Sequence, residues 1–227
     1  HHQSEVLPCG EGATLIGNDE AIMSRCYAWS DFGREVDWET HKPRTGTWPH
    51  LGRNMKVTEL QGALLLEGLQ HVNELTQKRV DNAAYLKRLI RDVPGIEPQK
   101  EYEGQTRGAY LQFMMRYDRR QFSDLPLDRF VEAVGKEGIV LSRGMTRPLT
   151  REPYIDHVFQ SRHMKSVFSK QRLDRMRESL ACPVADQVTA DVSFCIHGAQ
   201  MQSSRSDIEA IAAAIQRVHK YSAEIKR

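Results

Sequence analysis

The stretch from Thr58 to Gly95 leaves the chain the least freedom. Thr58 precedes a run of strong helix formers, and Leu65, Leu69 and Val72 return at helical spacing. The pattern continues, with a bend, through Leu75, Val80, Ala83, Ala84 and Leu86 to Leu89 and Ile90. Val93-Pro94-Gly95 ends it, because proline brings no N–H and its ring clashes with the preceding turn. The apolar stripe is read as core.

Upstream, Gly10-Glu11-Gly12 forms a tight reversal, since glycine accepts positive φ without a Cβ penalty. Thr14-Leu15-Ile16 read as a short buried strand, closed by the turn Gly17-Asn18-Asp19. Asn18 or Asp19 then caps a helix from Asp19-Glu20 to about Trp29, with Ala21, Ile22 and Cys26 on one side. Gly33 stops it. Glu35 to Leu51 is irregular, rich in Thr, Pro, Gly and charge, with Trp38, His41, Trp48 and His50 interspersed. Loops of this length inside a compact domain are usually functional, although a surface excursion packed by its own tryptophans fits equally.

Beyond the long helix, Glu101 to Arg107 is a polar connector, and Ala109 to Tyr117 reads as a strand from its apolar and aromatic content. Asp118 to Asp124 is a turn region. Leu127 to Glu137 is a helix with Phe130, Val131 and Val134 on one face, followed by a second strand, Gly138 to Leu141. Met164 to Leu180 reads as a basic, solvated helix, Val192 to His197 as a strand, and Ser206-Asp207 as the cap of a last helix. Ile208, Ile211, Ala212, Ile215 and Val218 set the apolar face of that helix.

The 227 residues suffice for one large domain or one and a half small ones. With 32 basic against 30 acidic residues, no strong field favours nucleic acid or a membrane surface. No stretch approaches the ~18 apolar residues of a membrane span, and no signal segment opens the chain. Four scattered cysteines without a Cys-x-x-Cys point to a reduced, cytoplasmic setting. His157 and His163, beside Asp156, are read as exposed polar residues, so no metal is expected. The chain lacks an initiating Met and opens inside what reads as a domain, as a C-terminal piece of a longer protein would.

Three segments carry a resemblance. Ser4-x-Val6-Leu7-x-x-Gly10-Glu11-Gly12-Ala13 resembles the segment that bears the cofactor lysine in the DegT/DnrJ/StrS family of pyridoxal-phosphate aminotransferases, whose pattern is roughly Ser-Lys-x-Leu-x-x-Gly-Glu-Gly-Gly. Gly52-Arg53-Asn54-Met55-Lys56-Val57-Thr58-Glu59-Leu60-Gln61 is similar to the family's Gly-x-Asn-Tyr-Arg-Met-x-Glu-x-Gln. Tyr117 to Ile139 is similar to its small-domain strand-helix-strand. Pro153-Tyr154 and Cys182-Pro183-Val184-Ala185-Asp186 continue the likeness, while Thr150 stands where Pro-Leu is usually followed by histidine.

The resemblance implies an α/β architecture, the type I pyridoxal-phosphate transferase fold related to aspartate aminotransferase. Residues 1–50 would be the end of the large cofactor domain with an inter-subunit arm, 51–95 the interdomain helix, and 96–227 the α+β small C-terminal domain. It implies amino transfer from glutamate or glutamine to a keto-sugar nucleotide or cyclitol ketone in antibiotic or polysaccharide biosynthesis, with the form of the arm nearer the cyclitol and aminobenzoate branch. Pyridoxal 5'-phosphate or pyridoxamine phosphate would be the cofactor, with Ser4 and Asn54 toward it, Asn54 reaching the partner subunit's phosphate in a homodimer with shared active sites. Lys56, Trp48 and His50 would meet the small-molecule substrate, Lys56 without the carboxylate-gripping fork of the usual arginine.

Glu5 occupies the position of the lysine. A carboxylate accepts a proton but cannot form the imine on which transamination depends. Two further readings follow: a non-catalytic homologue that pairs with an active subunit, lending Asn54 and the arm, or a lysine-less enzyme that holds the cofactor without an imine, not necessarily by this chain alone.

Overall fold

A computed structural model describes residues 5–40, 42–44, 46 and 48–226. The chain divides into two compact units between Glu74 and Leu75, within its longest helix.

The first unit opens with the glycine reversal, where Gly10 and Gly12 have φ of 98° and 151°. Helix α1 (Glu20–Ser30) follows, and the Asp19 carboxylate accepts the Ile22 N–H at its start. A two-residue hairpin, β1 (Val36–Asp37) with β2 (Lys42–Pro43), interrupts the irregular stretch. Helix α2 (Glu59–Leu89) runs 31 residues. Its entry is a reciprocal cap: Gln61 Oε1 accepts the Thr58 N–H at 2.8 Å, and Thr58 Oγ1 accepts the Gln61 N–H at 3.3 Å. Gln61 Nε2 also donates to the Glu11 carbonyl at 2.6 Å, tying the glycine reversal to the helix start.

The second unit is built on an antiparallel sheet of order β3-β4-β5, from Ile96–Pro98, Gln112–Tyr117 and Ser193–His197. The central strand pairs Ile96 with Tyr117 on one side and Met115 with Phe194 on the other. Phe113, Met115 and Tyr117 alternate inward, as a half-buried strand requires. They share one core with Phe130 and Val134 of α3 (Leu127–Lys136), with Ile208, Ile211 and Ile215 of α8 (Arg205–Lys220), and with Leu86 of α2 and Ile90 just beyond it. Ser204 and Asp207 close a capping box at the head of α8, two residues earlier than Ser206-Asp207 suggested. Helices α4 (Pro153–Gln160), α5 (Arg162–Val167), α6 (Lys170–Glu178) and α7 (Pro183–Gln187) fill the excursion between Ser142 and β5, and a short α9 (Ser222–Ile225) ends the fold.

Three expectations are corrected. Thr14-Leu15-Ile16 is not a strand, and Leu15 and Ile16 are exposed; among the described residues no strand runs beside it to complete a ladder. Gly138 to Leu141 is not a strand either. The Ile139 N–H turns back to the Val134 carbonyl, and the Val140 carbonyl accepts from Gln200, so these backbone groups are satisfied without a ladder. Only Ser142 bridges to Cys195 of β5. The basic helix from Met164 breaks at Phe168, which is extended, and Ser169 caps a new helix through the Arg172 N–H.

Candidate functional site

The candidate residues gather where α1 ends. Asp31 caps the helix, Phe32 and Gly33 take φ of 56° and 87°, and the Gly33 N–H returns to the Ala28 carbonyl at 2.7 Å. The segment 50–55 then runs antiparallel to this turn. Arg53 N–H donates to Trp29 at 2.7 Å, Phe32 N–H to Arg53 at 3.0 Å and Met55 N–H to Ser30 at 2.9 Å, which brings Asn54 opposite Asp31. The two backbones approach closely because both carry glycine at the crossing. A Cβ on Gly52 would lie 2.2 Å from the Gly33 nitrogen, and one on Gly33 would lie 1.8 Å from the His50 carbonyl oxygen.

Asp31 is fully buried, and its carboxylate is saturated. Arg34 Nη2 and Lys56 Nζ both reach Oδ1, at 2.6 and 2.7 Å, and the Tyr27 hydroxyl donates to Oδ2 at 3.3 Å. Burial by itself would raise the Asp31 pKa, yet the hydrogen bonds from Lys56 and Arg34 outweigh it and hold the carboxyl below its usual range. Burial, then the Asp31 charge, pushes the Tyr27 phenol up. The Phe32 ring lies within cation–π distance of both cations, 5.5 Å from Lys56 Nζ and 5.9 Å from the Arg34 guanidinium carbon.

The structure brings together two of the expected site residues, Asn54 and Lys56, through Asp31 and the turn that follows it. His50 lies in a neighbouring recess of about 280 Å³ lined by Glu20, Ser24, Arg25, Glu35 and Trp38, with its Nε2 3.7 Å from Glu35. Trp48 is exposed and lines neither feature. Glu5 is exposed, and Ser4 lies outside the described residues. Asp31 and Arg34 carry the site's electrostatics, yet neither stands out in the sequence, because no local pattern marks an aspartate for complete burial. Among the described residues no group of three or more His, Cys, Asp or Glu gathers as a metal site, and no helix is long and apolar enough to cross a membrane.

A family model for the DegT/DnrJ/EryC1/StrS aminotransferases matches residues 1–197. The chain belongs to this family. It is 28% identical over 229 residues to an L-glutamine:2-deoxy-scyllo-inosose aminotransferase from Streptomyces paromomycinus, covering 97% of this chain and 52% of the relative. It is 26% identical over 226 residues to the enzyme of that name from Streptomyces fradiae, covering 98% and 52%. The chain thus spans about half the length of the curated relatives it matches. Among solved structures, a DegT DnrJ EryC1 StrS aminotransferase from Brucella abortus superimposes with a TM-score of 0.68 at 17% identity, covering 96% of this chain and 49% of that one. A 3-amino-5-hydroxybenzoic acid synthase gives 0.62 at 16% identity, covering 88% and 47%. The fold is that of the family's pyridoxal-phosphate enzymes. Glu5, which the sequence resemblance sets at the family's lysine position, is a carboxylate, and a carboxylate lacks the nucleophilic amine that covalent attachment of that cofactor needs.

Proposed function

We propose that this protein serves amino transfer from glutamine or glutamate to the ketone of a cyclitol or sugar nucleotide, in a cytoplasmic biosynthetic route to an antibiotic or polysaccharide. The observation that carries the reading is the Asn54-Lys56 segment, fastened to the end of α1 by three backbone hydrogen bonds and by the Lys56–Asp31 ion pair, with both side chains left at the surface. In this reading residues 1–50 end the large cofactor domain, 51–95 form the interdomain helix and 96–227 form the small domain. Asn54 reaches toward the cofactor phosphate of a second subunit, Ser4 lies toward the cofactor, and Lys56, Trp48 and His50 face the substrate. Glu5 favours a second reading, in which the chain pairs with a lysine-bearing homologue and lends it the Asn54 segment.

The test is Glu5→Lys in the full-length protein, assayed with pyridoxal phosphate, glutamine and 2-deoxy-scyllo-inosose. The expected outcome is a new imine absorbance near ~400 nm, absent from the wild type, together with release of the 2-oxo acid of glutamine. A folded Glu5→Lys protein with neither signal defeats the first reading. The second predicts that the unaltered protein co-elutes with a lysine-bearing relative and raises its turnover; separate elution and an unchanged rate would defeat it.

A further inference from the structure

The break between α5 and α6 leaves a hollow. The chain is extended at Phe168, so the two helices do not continue one another, and with α4 they enclose about 410 Å³. That volume is in the range of small-molecule pockets. Phe159 of α4, Phe168 at the break and the buried Leu173 of α6 give it apolar walls. The charge around it is one-sided. Residues 162–178 carry six Lys and Arg against two Asp and Glu, a net charge of +4, whereas the whole chain carries +2. Lys165, Lys170 and Arg177 line the hollow itself. Lys170 is paired with Asp174 at 2.7 Å and Arg177 with Asp156 at 2.5 Å. Among the described residues no carboxylate reaches Lys165 within ion-pair distance, and Lys165 is exposed. A solvated run of charge needs no apolar hollow beside it, and an apolar hollow needs no spare cation. Their coincidence describes a receptor for a ligand that is apolar at one end and anionic at the other.

We infer that this hollow binds an organic acid with an apolar body and a single carboxylate, the body against Phe159, Phe168 and Leu173 and the carboxylate on Lys165. The paired cations add no net charge, so one negative charge neutralises the site and a second finds no partner. An aryl body gains edge-to-face contact with the two phenylalanine rings, whereas an alkyl body gains burial alone. The Phe168 wall is itself braced, because the Arg172 guanidinium carbon lies 5.5 Å from its ring centroid. The hollow belongs wholly to the second unit and shares no residue with the Asp31 cluster, so the inference does not rest on the proposed function.

The experiment is calorimetric titration of the full chain, at low ionic strength, with benzoate in one arm and octanoate in the other. Benzamide, neutral and of the same shape as benzoate, is the comparison. The wild type is expected to take up the acids at one saturable site and to bind benzamide about tenfold or more weakly, since the amide lacks the charge that meets Lys165. Lys165→Gln should weaken the acids by about the same factor and leave the amide unchanged. Phe168→Ala should weaken acid and amide alike. Leu64→Gln, at an exposed apolar position of the first unit, should change neither. Saturation by benzoate alone assigns the hollow to aryl acids, and saturation by octanoate alone assigns it to alkyl acids. Absence of saturable binding in both arms overturns the inference. So does benzamide binding as tight as benzoate, wild-type affinity in Lys165→Gln, or a loss in Leu64→Gln equal to that in Phe168→Ala. Should Phe168→Ala fail to fold, the exposed Lys165→Gln carries the decision.

Discussion

Replacing Gly52 with alanine should detach the Asn54 segment while leaving the second unit intact. The added Cβ would sit 2.2 Å from the Gly33 nitrogen and 2.6 Å from the Ala28 carbonyl oxygen, both backbone atoms that no rotamer change can move. Relief to ordinary van der Waals contact requires more than 1 Å of separation. The three hydrogen bonds that lace the two strands, at 2.7 to 3.0 Å, do not survive such an extension. At about 1 kcal/mol net for each bond, the local cost is about 3 kcal/mol. That corresponds to about a hundredfold rise in local opening. Native-state amide exchange reads it directly at Phe32, Arg53 and Met55, with Phe113 and Phe194 of the second unit as unchanged references. Gly62→Ala is the control. A Cβ there meets nothing within 4 Å, and inside α2 it should stabilise by roughly 0.5–1 kcal/mol. A folded Gly52→Ala protein with wild-type protection at those three amides would refute the crossing as described.

Two further outcomes test other parts of the molecule. Because its folded pKa is depressed, Asp31 contributes stability that is full above the ordinary aspartate range and is lost as pH falls through the folded value. All three tryptophans, Trp29, Trp38 and Trp48, lie in the first unit, so their fluorescence should report acid loosening there, and Asp31→Asn should flatten that acid limb; an unchanged limb would show that another group controls it. Phe130→Ala should destabilise the second unit by about 3–5 kcal/mol in denaturant melts and Phe130→Leu by about 1.5 kcal/mol or less. The ring is fully buried against Tyr117, Phe122 and Phe194, at 4.7 to 5.3 Å between centroids. A loss below 1.5 kcal/mol for the alanine variant would contradict that packing.

How much the sequence revealed depended on the length of the signal. Helices α2 and α8 were legible because a stripe repeated over many turns leaves few alternatives; the predicted inward residues of α8 are buried, whereas the α2 stripe read as core is buried at Ala83 and Leu86 but exposed at Leu69 and Ala84. Strand β4 was legible from its aromatic content, though it begins at Gln112, after Tyr110 turns to a φ of 48°. Short apolar runs misled. Thr14 to Ile16 and Ile139 to Leu141 have strand composition, but strand formation depends on a neighbour that composition cannot supply. Strand β3 was missed for the converse reason: three residues ending in Pro98 carry almost no pattern, and proline suits them only because β3 is an edge. At the candidate site, Asn54 and Lys56 stood out through the family pattern. Asp31 and Arg34 did not, since a charge becomes a buried anchor only through contacts made at a distance along the chain.

The sheet order also sets a timetable for folding. The central strand closes early on one side, with residues 96–98, but its other edge waits for residues 193–197, which are synthesised some eighty positions later. Until they emerge, Phe113 and Met115 lack Ile196 and Phe194 as strand neighbours, and α8 cannot yet cover the core. Such non-local pairing slows folding and leaves an open strand edge on the nascent chain. Chain length between the two strands costs little by comparison, because closure entropy grows only logarithmically with loop length. The excursion carrying α4 to α7 is thus a place where the fold can absorb insertions, whereas residues 193–227, with β5 and α8, decide whether the second unit closes at all.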